Sequence, residues 1–278
     1  VRQTFHLQNM RLTNLNPSKY KRFFAFGCSF TKYSWPTWAD IIGQDVPVYQ
    51  NWATPGAGNH YIFNSIMEAD ARYKFNNNDL VIVMWSCKER EDRYSNNKWL
   101  SDTNLSQEKT YGKKWVKNFG TDLRGFLIRD LGYIAGAQST IQKASWEQFC
   151  LNPLTNIDDT KAVLDGVDLD SITEEIGREY WIKAFDKLCT GSDIDPYLDN
   201  ADVIETYKDL FLNINKSLEG RWTFEYVKNR VAPNNDNHPT PLEALEFLNN
   251  VWPGNSLSIE AQNHARQWNV NHSLITRL

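Results

Sequence analysis

Ser29 follows an aromatic run in FAFGCSFT, residues 24–31. A serine hydroxyl is a poor nucleophile unless a base lies within hydrogen-bond reach. A base is offered far along the chain, in NNDNHPT, residues 234–240, where Asp236 stands two residues before His238. A carboxylate that close can accept a hydrogen bond from one imidazole nitrogen. That fixes the tautomer and leaves the other nitrogen free to take a proton. A third stretch, NWATPGAGN, residues 51–59, holds Gly56 and Asn59. Acyl transfer needs donors aimed at a developing oxyanion. Gly56 can bring a backbone N–H close to a substrate, and Asn59 can add a side-chain amide. Each stretch also has a plainer reading: a strand-end turn at Ser29, a glycine-rich turn with Asn59 as helix cap, and a polar loop before a helix.

Elements must bring these pieces together. Arg22 to Phe26 reads as a short buried strand, and VPVYQNWA, residues 46–53, as a second. NNNDLVIVMWS, residues 76–86, is a turn and then a third strand. Its unbroken apolar run from Leu80 to Trp85 suits a strand covered on both faces. Between the strands lie helical stretches: SWPTWADIIG, with Pro36 suited to a start and Gly43 to an end, and GNHYIFNSIMEADARY, with Ile62, Ile66 and Ala69 on one face. Phe126 to Ile141 follows helical spacing, and WEQFCL, residues 146–151, reads as a fourth strand. Strands alternating with helices predict a three-layer α/β/α sandwich around a mainly parallel sheet. In such a sheet the turns after the first two strands open on the same edge, where ligands bind. TPLE, residues 240–243, is a capping box with Thr240 at the N-cap and Pro241 at the first helical position. A helix then starts just after His238, and its N-terminus disfavours an imidazolium and helps keep His238 neutral.

The 278 residues read as a single domain, 1–278, with a polar excursion at about 88–121 and an acidic helical insertion at about 152–220. Asp-rich residues 152–200 lack the register of an EF-hand loop and read as a solvated surface. With 30 Lys and Arg against 34 Asp and Glu, the net charge of −4 argues against a broad nucleic-acid footprint. No apolar run approaches the roughly 20 residues of a membrane span. The four cysteines form no CxxC pair and no zinc spacing, so they read as reduced thiols, and neither a metal nor a cofactor is expected. Cys28 is expected to point into the core rather than compete with Ser29. Arg90, Glu91 and Arg93 read as a surface charge cluster before an anion or sugar site, and His60 as a helix-face residue. No signal peptide precedes the first strand, so the expected location is cytoplasmic or virion-associated.

The three stretches together resemble the SGNH (GDSL-like) hydrolase superfamily, over roughly residues 22–90 and 230–250. FAFGCSFT resembles its first block, which holds the nucleophilic serine, here Ser29. NWATPGAGN resembles its second, whose glycine helps form the oxyanion hole, here Gly56. DNHPT resembles its last, which supplies acid and base, here Asp236 and His238. There are departures. Cys28 stands where the family usually has Asp after the first Gly. Asp-x-His replaces Asp-x-x-His, as in the alginate O-acetyltransferase-like branch; a strict reading puts Asn235 in the acid place. VMWSCKERED replaces the Gly-x-Asn-Asp block expected after the third strand. Phage and environmental members often carry blocks this divergent.

The resemblance implies a serine esterase or deacetylase. Ser29 attacks an ester, His238 and Asp236 assist, and the N–H groups of Ser29 and Gly56 with the Asn59 amide hold the oxyanion. The richness in aromatics favours an O-acetylated carbohydrate over a lipid as substrate, and acetyl transfer to a second sugar is a close variant. The alternative is a catalytically weak or inactive scaffold, structural or carbohydrate-binding, in a larger assembly such as a virion or a homo-oligomer.

Overall fold

The computed structural model describes residues 12–86, 90–100, 112–115, 123–150 and 238–275. The acidic insertion expected at 152–220, and with it Asn235 and Asp236, lies outside these residues. So does much of the excursion at 88–121.

Strand β1 (Arg22–Phe26) occupies the middle of a four-stranded parallel sheet, between β2 (Val48–Asn51) and β3 (Asp79–Trp85). The strand β6 (Ser145–Cys150) completes it beyond β3, giving the order β2-β1-β3-β6. Register is set by pairs such as Phe24 with Gln50 and Val81, and Val83 with Gln148. β1 and β3 are apolar on both faces because both faces are covered. Phe23, Ala25, Leu80, Ile82 and Met84 pack against α1 (Trp38–Gly43), α4 (Pro241–Val251) and α5 (Ile259–Ile275). Phe24, Phe26, Val81, Val83 and Trp85 pack against α2 (Asn59–Tyr73) and α3 (Leu123–Ile141). The fold is therefore α/β, with helices on both faces of a parallel sheet. Each fully buried phenylalanine contributes roughly 1.5–3 kcal/mol of hydrophobic free energy.

The order places the chain reversal between β1 and β3. Crevices outside the carboxyl ends at such a point are where open α/β sheets bind ligands. The helix after β1 begins at Trp38, with Thr37 as N-cap in a capping box with Asp40. Pro36 thus precedes the cap instead of opening the helix. Within the excursion, β4 (Arg93–Ser95) and β5 (Lys98–Leu100) form an antiparallel hairpin absent from the sequence reading. Its tight turn is Asn96-Asn97, both in the left-handed region (φ 50° and 61°), which asparagine tolerates better than most residues.

Candidate active site

β1 ends at Phe26, and the chain turns at once: Thr31 N–H and Lys32 N–H both donate to Cys28 O (2.9 and 3.1 Å). Ser29 sits in this turn at the sheet's carboxyl edge, 5% exposed. Cys28 is fully buried, as expected, among the apolar residues of the α2 face. The turn can fold this tightly because Gly27 has no side chain. A Cβ there would overlap Thr31 Oγ1 and come within 3.0 Å of Met84 O.

The loop after β2 is stitched to this turn. Trp52 N–H donates to Ala25 O (2.8 Å) and Thr54 N–H to Gly27 O (3.4 Å), prolonging the parallel ladder past the strand ends. Thr54-Pro55-Gly56-Ala57 then closes a turn, with Ala57 N–H on Thr54 O (3.1 Å) and Gly56 at φ 78°. Proline followed by a residue of positive φ is the pattern of a type II turn, and Gly takes that conformation at no steric cost. Among the described residues, neither Ser29 N–H nor Gly56 N–H donates to any protein group. Two backbone donors on adjoining loops are thus left unspent at one sheet edge.

Asn51 holds the two loops in register, a role the sequence reading did not assign. Its Nδ2 donates to Thr31 O (2.8 Å) in the serine turn and to Tyr49 Oη (2.9 Å). Its Oδ1 accepts from Ala53 N–H (3.1 Å) in the second loop. Tyr49 Oη donates in turn to Asp40 Oδ1 (2.9 Å). Burial and the neighbouring Asp40 charge push the Tyr49 phenol far above its ordinary range, so it remains a neutral donor. Thr37 Oγ1, 2.7 Å from Thr31 O, supports the same carbonyl.

His238 comes to this edge from the other end of the chain. Its ring lies 5.3 Å from that of Phe30 and stacks on Tyr33 at 3.9 Å. The capping box expected at 240–243 is present: Glu243 N–H donates to Thr240 Oγ1 (3.4 Å), and Thr240 N–H to Glu243 Oε2 (2.6 Å). His238 therefore stands just before the N-terminus of α4. Among the described residues no hydrogen bond joins the Ser29 hydroxyl to the imidazole.

No family model matches the chain, and comparison with curated proteins and with solved structures gives no match.

Asn59 requires a correction. It was expected to lend its amide to the oxyanion hole, but it is buried (3% exposed) and its side chain is fully engaged. Nδ2 donates to Ser86 O (3.0 Å) and to Asp130 Oδ2 (2.8 Å), while Oδ1 accepts from Ser86 N–H (2.7 Å). With both amide hydrogens spent, it ties α2 to the end of β3. Nor does it cap its own helix; that falls to Asp92, whose carboxylate accepts from Gly58 N–H and Tyr61 N–H (2.8 Å each).

Of the segment read as a surface charge cluster, Arg93 is exposed, while Glu91 and the neighbouring Asp92 turn inward. Arg129 donates to Glu91 (2.6 Å), to Asp130 (2.8 Å) and to Arg90 O (3.1 Å). Burial pushes the Asp130 carboxyl up to about 6, against the pull of Arg129 and Asn59. Asp92 is also raised by burial, opposed by the two N–H groups it accepts. His60 lies on α2 as expected, stacked on Tyr133 at 5.2 Å, with Nδ1 3.4 Å from Asp92 O. Among the described residues, no group of three His, Cys, Asp or Glu could hold a metal ion. None of their helices is long and apolar enough to cross a membrane.

Proposed function

We propose that the chain is a serine esterase of the SGNH type, acting on a small acyl ester such as an O-acetylated carbohydrate. The observation that carries this reading is the pair of unspent N–H groups, Ser29 and Gly56, on two stitched loops with His238 at the same edge. His238 takes the Ser29 hydroxyl proton as the oxygen attacks the ester carbonyl carbon. The carbonyl oxygen becomes an oxyanion held by the two backbone donors. Collapse of the tetrahedral species expels the alcohol, which takes the proton back from the imidazolium, and leaves the acyl group on Ser29. His238 then activates water, which attacks the acyl carbon, releases the carboxylic acid and restores the serine. Asp236, two residues before His238, would hold its tautomer. Apo hydrogen bonds of the nucleophile–base kind are often long and tighten in the substrate complex, so an unmade Ser29–His238 bond is compatible with this role. A sugar hydroxyl replacing water in the second half would give acetyl transfer.

One observation favours the second reading, a catalytically weak scaffold serving a larger assembly such as a virion. The Asn59 amide is spent, so the hole has two donors, and removal of one oxyanion donor typically costs about 10²–10³ in turnover. Hydrolysis of a short-chain aryl acetate by wild type and by Ser29→Ala separates the two. Activity lost in a folded Ser29→Ala protein supports the esterase. No turnover by either supports the scaffold.

A further inference from the structure

We propose that Tyr33 is the positioning residue for His238, so that the loop carrying the nucleophile also sets the plane of the base. This rests on the esterase reading. An imidazole can turn about two side-chain bonds, and a general base must hold a nitrogen toward the proton it takes. Tyr33, four residues after Ser29, lies face to face with the imidazole, with centroids 3.9 Å apart and planes inclined by 17°. Phe30, from the same loop, packs at 5.3 Å and 49°. The backbone is tied down beside the ring: Trp35 Nε1 donates to Pro239 O (2.7 Å). Trp35 is wedged between Tyr33 (4.5 Å, 75°) and Trp268 of α5 (5.2 Å, 48°).

This clamp has two consequences. It couples base to nucleophile through residues 29–35, the loop that carries Ser29. It also sets an aromatic face against the ring on which positive charge develops as the serine proton moves. A cation over an aromatic face is favoured by an amount that converts to about 3- to 10-fold in rate for a half-buried pair. Tyr33 touches neither the ester nor the reacting atoms in this arrangement; it acts through His238.

The test uses the full chain with three variants: Tyr33→Leu, Tyr33→Phe and Ser29→Ala. Aryl-acetate hydrolysis is measured together with the NMR shifts of the His238 ring protons, assigned by His238→Gln. In wild type the stacked ring should displace those protons upfield. Tyr33→Leu should abolish the displacement and lower kcat by about 3- to 10-fold with KM unchanged. Tyr33→Phe, which keeps the aromatic face, should restore both. If Tyr33→Leu does not fold, Tyr33→Gln replaces it. Ring-proton shifts unchanged in Tyr33→Leu, or a Tyr33→Phe protein as impaired as Tyr33→Leu, would overturn the proposal. If Ser29→Ala matches wild type in turnover, the esterase reading falls by itself, and the ring-proton shifts still decide whether Tyr33 orients His238.

Discussion

Two polar regions share the carboxyl edge of the sheet, and they spend their hydrogen bonds differently. Around Ser29 and Gly56 the side chains of Asn51, Thr37 and Tyr49 are used up on backbone groups, on one another and on Asp40, while the Ser29 and Gly56 N–H groups stay unspent. Around Asn59 the pattern reverses. Asp92, Asp130, Glu91 and Arg129 bring more charge, yet each is engaged by a neighbour. The second region looks richer in chemistry and is structural; it pins α2, α3 and the segment before the hairpin to the end of β3. The first leaves the Ser29 and Gly56 N–H groups undonated, and on the esterase reading proposed above it is the region that would receive a substrate.

The contrast can be broken most sharply at Ser29. Ser29→Ala should lower ester hydrolysis by about 10³-fold or more while leaving the thermal midpoint near that of wild type, since it removes one small atom from a turn held by backbone bonds. Retention of both activity and stability would erase the distinction. Next comes Asn51→Ala. It should cost about 10² in kcat, because the two loops lose their shared clamp and a misplacement of about 1 Å is worth that much. Steady-state kinetics on the folded protein would show this as a kcat effect with little change in KM.

Asn59→Ala is the counterpart in the other region. It leaves Ser86 N–H and Ser86 O without their partner and Asp130 Oδ2 without the Asn59 amide, and should destabilise by about 2–4 kcal/mol in denaturant unfolding. Turnover per folded molecule should fall by less than tenfold, which a direct oxyanion donor would not permit. A loss of 10² or more without destabilisation would return Asn59 to the hole.

The smallest effect is one of pH. Asp130 has its carboxyl raised to about 6 in the fold, against an ordinary value near 4, so the folded state binds its proton more tightly than the unfolded chain does. Its contribution to stability is greatest below about pH 4, declines as pH rises, and is fully lost above about pH 6. Relative to wild type, Asp130→Asn should therefore gain up to ~2–3 kcal/mol between pH 4 and pH 7, read from paired unfolding curves. A difference that stays flat across that range would mean that Arg129 holds the carboxylate ionised throughout.

Strands β1 and β3 were legible because their apolar runs have sharp ends, Arg22 and a glycine turn at Gly27 for one, Asp79 and Ser86 for the other. Helix α2 showed its 3.6-residue period, and the Thr240–Glu243 cap is a local pattern that the tertiary structure keeps. The hairpin was not legible. Its strands are three residues each, too short to show a period, and joined by Asn-Asn rather than by a glycine signal. Ser29, Gly56 and His238 could be named from local stretches, and the fold brings all three to one sheet edge. Asn59 was misassigned because its partner Asp130 lies 71 residues away, and sequence shows an amide without showing what consumes it. Asn51 was missed for the same reason in reverse. Its importance comes from Thr31 O, a backbone acceptor that any residue at that position would supply.

The most direct test is to treat the full chain with an aryl phosphonate ester, which is attacked as an ester is but leaves a stable phosphonyl group on the nucleophile. Peptide mass spectrometry then locates the adduct. Stoichiometric modification at Ser29, absent in His238→Ala, is the predicted result. No adduct, or an adduct on another residue with Ser29 unmodified, would contradict a serine nucleophile at this edge.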